Sequence, residues 1–156
     1  MVDGGLHAMA PGRVVHARPK ARIWRDLDRD IAAKQLPCEV LPDGMGLRID
    51  DSTLYQPDAV VYCGDRLDDE MRLVPEPVIV VEVLSPSTEH IDTGLKLEGY
   101  FRMPSVRHYL IVGPERRAVI HHQRMDDDRV LSRIVTSGAV EIDPPGLSLA
   151  IERVYD

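Results

Sequence analysis

Aromatic residues make up only 4% of this 156-residue chain, with one tryptophan and one phenylalanine. A core built from it must therefore rest on Val, Ile and Leu. Those residues concentrate in 60–84 and again in 106–120, a distribution that predicts a substantial sheet. Long apolar runs are missing as well. No stretch approaches the roughly 18 apolar residues that cross a bilayer, so no membrane span is expected. The opening residues Met1 to Gly5 do not form the apolar stretch of a signal peptide. Cysteine is limited to Cys38 and Cys63. Both lie in apolar, strand-like runs and are expected as small, reduced core residues in a cytoplasmic setting. The chain also lacks a Walker-type glycine loop and a dinucleotide-binding glycine fingerprint, which removes two common nucleotide-binding folds.

Positive charge is in deficit overall. The net charge of −7 argues against non-specific affinity for nucleic acid. The distribution is uneven, however. Between Arg13 and Lys34, Arg13, Arg18, Lys20, Arg22, Arg25, Arg29 and Lys34 face only Asp26, Asp28 and Asp30. That asymmetry permits a basic face on an acidic body.

The pattern along the chain predicts a flexible lead over residues 1–12 and a single α/β (α+β) domain over 13–156, a central mixed sheet flanked by helices. Pro19 suits the first turn of a helix. Trp24, Leu27 and Ile31 form its core stripe, and Pro37 ends it. Arg18, Arg22, Arg25 and Arg29 recur at intervals of four, three and four on another face, a candidate surface for nucleic-acid phosphates. A hairpin is expected between residues 38–41 and 46–49, across Pro42-Asp43-Gly44. Strands follow over 57–63 and 78–84, apolar throughout apart from two acids, as in a sheet covered on both faces. Ser85, Ser87 and Thr88 can cap a helix over about 89–102. Gly94 and Gly99 weaken it by about 1 kcal/mol each, so packing of Ile91, Leu95 and Tyr100 must offset them. A hairpin over 108–112 and 118–123, a strand over 130–136 and an edge strand or short helix over 147–154 complete the reading.

The chemistry centres on Asp58, at the head of one apolar strand, and Glu82, in the middle of the next. A carboxylate within Val78-Ile79-Val80-Val81-Glu82-Val83-Leu84 is costly unless a cation, a hydrogen-bond network or a metal ion meets it. On adjacent strands about 5 Å apart, both acids can address one point. With water and a backbone carbonyl they would form the oxygen shell that Mg²⁺ prefers. A buried ion pair of Glu82 with Lys96 or an arginine is the bland alternative. Lys96 shares a helix face with Asp92 and Tyr100 by i, i+4 spacing. It can reach the same pocket, or merely pair with Asp92 on the surface.

The stretch Gln56-Pro57-Asp58-Ala59-Val60-Val61, the run Glu82-Val83-Leu84-Ser85-Pro86-Ser87-Thr88, the downstream Asp92, Lys96 and Tyr100, and His108-Tyr109-Leu110-Ile111-Val112-Gly113-Pro114 together resemble the Uma family of bacterial restriction-endonuclease-like proteins, within the PD-(D/E)XK nuclease superfamily. The similarity covers roughly residues 7–125. It implies an α-β-β-β-α-β core in which Asp58 and Glu82 bind metal, the Val83 main-chain carbonyl adds a ligand, and Asp92, Tyr100 and Ser85 support the site. The superfamily lysine, two residues after the acid, is here Leu84. The resemblance suggests that Lys96 supplies the ammonium from the helix. His108 stands where family members often carry an acid, and His16 is expected as a lone exposed histidine, with a place at the site edge as the alternative. The implied activity is Mg²⁺-dependent (or Mn²⁺-dependent) endonucleolytic hydrolysis of DNA by a homodimer. The alternative is a catalytically inactive, dimeric binding module on the same fold.

Overall fold

The computed structural model describes residues 12–85 and 93–156. Most of the expected flexible lead, and Ile91 and Asp92 with the preceding cap residues 86–88, lie outside them.

Helix α1 spans Val14–Ala33 and buries Ile23, Leu27 and Ile31 along one stripe. This corrects the expected stripe at its first position. Trp24 is 37% exposed, and its indole N–H donates to the Val40 carbonyl at 3.2 Å. Pro19 is a further correction: it sits inside the helix and is buried. The helix stops before Pro37, where Gln35 takes a left-handed φ of 53°.

Six strands form the main sheet: β1 (Cys38–Pro42), β4 (Ala59–Cys63), β5 (Pro77–Val83), β6 (His108–Gly113), β7 (Ala118–Arg124) and β8 (Val130–Val135), in the order β1-β4-β5-β6-β7-β8. Among the described strands of this sheet only the β5–β6 pair is parallel. The sheet is therefore mixed, with β5 near its centre and apolar on both faces. The expected hairpin after β1 does not form. β1 pairs antiparallel with β4, while β2 (Leu47–Arg48) leaves to pair with β3 (Leu54–Tyr55). The turn signal at Asp43-Gly44 is genuine, Gly44 having a φ of 103°, but it redirects the chain rather than closing a ladder.

One face of the sheet packs Val61, Ile79, Val81, Val83, Leu110 and Val112 against α1 and a C-terminal layer. That layer comprises β9 (Ala139–Ile142), β10 (Leu147–Ala150) and α3 (Ile151–Tyr155). The tail is thus strand and helix in succession, and β9 had no clear signal. The other face packs Val60, Val80, Tyr109 and Ile111 under Leu47, Met103 and α2 (Thr93–Phe101). Each fully buried aliphatic side chain contributes about 1.5–3 kcal/mol, so the two layers together hold β5 firmly in place. Leu95 of α2 is exposed, contrary to its expected packing role. Gly99 explains itself sterically: a Cβ there would meet Tyr55 Cε2 at 2.9 Å. Among the described residues no helix is long and apolar enough to cross a membrane.

The cysteines also depart from expectation. Cys38 and Cys63 are register partners on β1 and β4, with Cα atoms 3.9 Å apart, and they form a disulfide. Their separation of 25 residues in sequence hid a direct cross-strand pairing.

Candidate functional site

Asp58 lies immediately before β4, and its amide donates to the Val81 carbonyl at 3.0 Å. The carboxylate then reaches along β5, where Oδ2 accepts the Val83 amide at 2.7 Å. Its other oxygen, Oδ1, lies 3.0 Å from Lys20 Nζ on α1. One acid is thereby seated on the strand residue that follows the other acid.

Glu82 is only 7% exposed. Lys96 Nζ donates to both of its oxygens, at 3.0 and 2.9 Å. The Tyr100 hydroxyl donates to Oε1 at 2.6 Å, and the Tyr109 hydroxyl to Oε2 at 3.3 Å. Burial, and then the charge of Glu82, pushes both phenols well above the ordinary tyrosine value. They remain protonated donors. The rings support one another edge to face, Tyr55 against Tyr100 at 5.3 Å and Tyr100 against Tyr109 at 4.9 Å. Lys96 Nζ also stands 5.7 Å from the Tyr55 ring centre. Glu82 thus has the buried cation and hydrogen-bond network that its place in an apolar strand demands.

The expected helix face therefore delivers Lys96 and Tyr100 to Glu82. Ser85 follows the end of β5 and is half-buried. The arginine stripe does not converge on the acids. Arg18 and Arg22 line a crevice with Pro114 and Tyr155, and Arg22 donates to the Val154 carbonyl at 3.4 Å. Arg29 lines another crevice beside Ser148 and Arg153, while Arg25 pairs with Asp26 at 3.3 Å. The helix face that meets Asp58 carries Lys20 and, one turn earlier, His16. Both line a cavity of about 640 Å³ that Asp58 also lines.

His16 corrects the sequence reading. It is 6% exposed, and its Nδ1 lies 3.0 Å from the Leu84 carbonyl oxygen. Lys20 and Tyr109 were also missed as site residues. The signal for Lys20 was its i, i+4 relation to His16 within the basic run. Tyr109 could be placed only once Val80 was known to pair with it across the parallel β5–β6 ladder.

A divalent cation would find two carboxylates here. Among the described residues no three of His, Cys, Asp and Glu converge to hold a metal ion. Two carboxylates nevertheless suit Mg²⁺, which commonly takes one or two and completes its shell with water and substrate phosphate. Each acid already has an ammonium partner, so the donor set is charge-balanced before any ion arrives.

Residues 1–153 match the model of the Uma2 family, described as "Putative restriction endonuclease". Two proteins of Synechocystis sp. are similar over nearly all of the chain. Uncharacterized protein slr1290 is 29% identical over 155 residues, covering 98% of this chain and 80% of that one. Uncharacterized protein sll1609 is 26% identical over 145 residues, covering 91% and 81%. Among solved structures, the fold matches a "putative nuclease belonging to DUF820" from Anabaena variabilis with a TM-score of 0.73 and 12% identity, over 99% of this chain and 87% of that one.

Proposed function

The chain belongs to the Uma2 family, and on that premise we propose that it is a Mg²⁺-dependent endonuclease hydrolysing phosphodiester bonds in DNA. The observation that carries this reading is the seating of Asp58 Oδ2 on the Val83 amide. It brings the two acids to the same level of β5, each with its own lysine.

In this reading Asp58, Glu82 and the Val83 carbonyl hold the ion. When bound, the ion polarises a phosphoryl oxygen and lowers the pKa of a water. The protein's own groups do the rest. Tyr100 and Tyr109 fix the direction in which Glu82 points. Lys96 stands in for the lysine absent at Leu84, and with Lys20 offers ammonium groups to the charge that develops on the phosphate. Substrate contact through lysines and arginines weakens steeply with salt. A homodimer, able to address both strands of a duplex, belongs to the same proposal.

The test pairs Mn²⁺ calorimetry with plasmid nicking in Mg²⁺. Wild type is compared with Asp58→Asn, Glu82→Gln and Lys96→Gln, each checked by circular dichroism for an intact fold. Saturable binding lost in Asp58→Asn, with nicking lost in all three, supports the proposal. Nicking that survives all three changes sinks it. One observation favours the second reading, an inactive nuclease-fold binding module: every oxygen of both carboxylates is already engaged by a protein donor. Absence of binding at millimolar metal would shift the assignment there.

A further inference from the structure

Glu82 begins a row of side chains that crosses one face of the sheet. In register beyond it stand Ile111 on β6, Ile120 on β7 and Ile134 on β8. At about 4.8 Å between neighbouring strands, this aliphatic ledge extends roughly 14 Å from the acid. Burial falls away along it, and Ile134 is 73% exposed. With Leu84, the three isoleucines line a cavity of about 640 Å³ whose wall includes His16 and Arg116.

His16 adds an independent observation. Its Nδ1 faces a carbonyl oxygen and must carry the proton that it donates. In the neutral ring Nε2 then presents a lone pair. That atom is buried and has no hydrogen-bond partner among the described residues. A buried nitrogen left unpaired is a standing cost that a ligand's polar hydrogen would relieve.

We propose that this cavity is a subsite for an unpaired nucleobase next to the phosphodiester held at Asp58 and Glu82. The substrate is then nucleic acid with single-stranded or frayed character at the cut. This rests on the nuclease reading above and narrows its substrate. A base offers a flat apolar face to the isoleucine ledge and amino hydrogens to the His16 lone pair. It is tied through its sugar to a phosphate, as the ledge is tied in register to Glu82. A base stacked in an intact duplex cannot enter such a cavity without being extruded.

The test is fluorescence anisotropy of the full chain in Ca²⁺ with three labelled oligonucleotides of equal length. These are a single strand, its duplex, and a single strand carrying abasic sites. The base-bearing single strand is expected to bind about tenfold more tightly than the other two. Ile134→Asp, a change at an exposed position that the fold tolerates, should bring it down to the abasic level. Equal affinity for base-bearing and abasic strands overturns the subsite and leaves the nuclease reading standing. Failure of all three to bind overturns both. If Ile134→Asp leaves the affinity ratio unchanged and converts a dimer to a monomer in sedimentation, the ledge is an interface between copies and the subsite is overturned.

Discussion

Lys20 Nζ lies 3.0 Å from Asp58 Oδ1, so α1 and β4 are joined by an ion pair at the mouth of the site. The side chains are 35% and 20% exposed respectively, and the pair is partly screened by water. Lys20→Met should therefore change fold stability by no more than about 1 kcal/mol. Removing a cation that competes for Asp58 should instead tighten Mn²⁺ binding several-fold in calorimetry, while nicking falls. Weaker Mn²⁺ binding in the variant would show that Lys20 positions Asp58 rather than competing for it.

Lys96 and Glu82 are more deeply set, with 15% and 10% of their side chains exposed. Lys96→Met leaves a carboxylate in an apolar strand without its ammonium partner, held by the Tyr100 and Tyr109 hydroxyls. A loss of about 2–3 kcal/mol is expected, somewhat below the cost of breaking a fully buried pair. The double change Lys96→Met with Glu82→Gln should recover most of it. Urea unfolding of the four proteins gives the coupling directly. Strict additivity would mean that the pair contributes nothing beyond its separate halves.

These acids were legible because Glu82 contradicts its surroundings. A charged residue inside an uninterrupted apolar run announces a partner, and i, i+4 spacing placed Lys96 and Tyr100 on one helix face. What depended on distant packing was not legible. Ile23 and Trp24 are neighbours about 100° apart on α1, and either fits a stripe with Leu27; only the sheet beneath selects Ile23. The β1–β4 ladder joins residues some twenty positions apart, whereas local turn chemistry favoured a neighbour. His16 looked exposed because its partner, the Leu84 carbonyl, is 68 residues away.

The Cys38–Cys63 disulfide ties the edge strand β1 to β4. Cross-linking two points 25 residues apart restricts the unfolded chain and is worth about 2–4 kcal/mol. Thermal melts should show a lower Tm in reductant, and Cys38→Ser should melt at that lower temperature without it. Titration of the native protein should find no free thiol. Two free thiols on non-reduced native protein would remove this contribution altogether.

His108 and His121 set an acid limit on stability. His108 Nε2 lies 2.7 Å from the Pro144 carbonyl oxygen and must donate to it. Its Nδ1 is then an acceptor, and His121 Nε2, 2.9 Å away, supplies the proton. A further proton on His108 Nδ1 would set two donors against each other within the core. Burial accordingly lowers both rings from the usual 6.5 to about 4, with the neighbouring histidine adding to the effect on His121. The unfolded chain takes up protons near pH 6.5 and the folded chain only near pH 4. Stability from these rings is thus fully present above pH 6.5 and is lost as pH falls toward 4. Urea midpoints at pH 7.0, 5.5 and 4.5 should decline progressively, by more than about 1 kcal/mol in total. In His121→Gln the decline should flatten, because the amide can still donate to His108 and carries no titrating proton. An equally steep decline in that variant would assign the acid sensitivity to other groups.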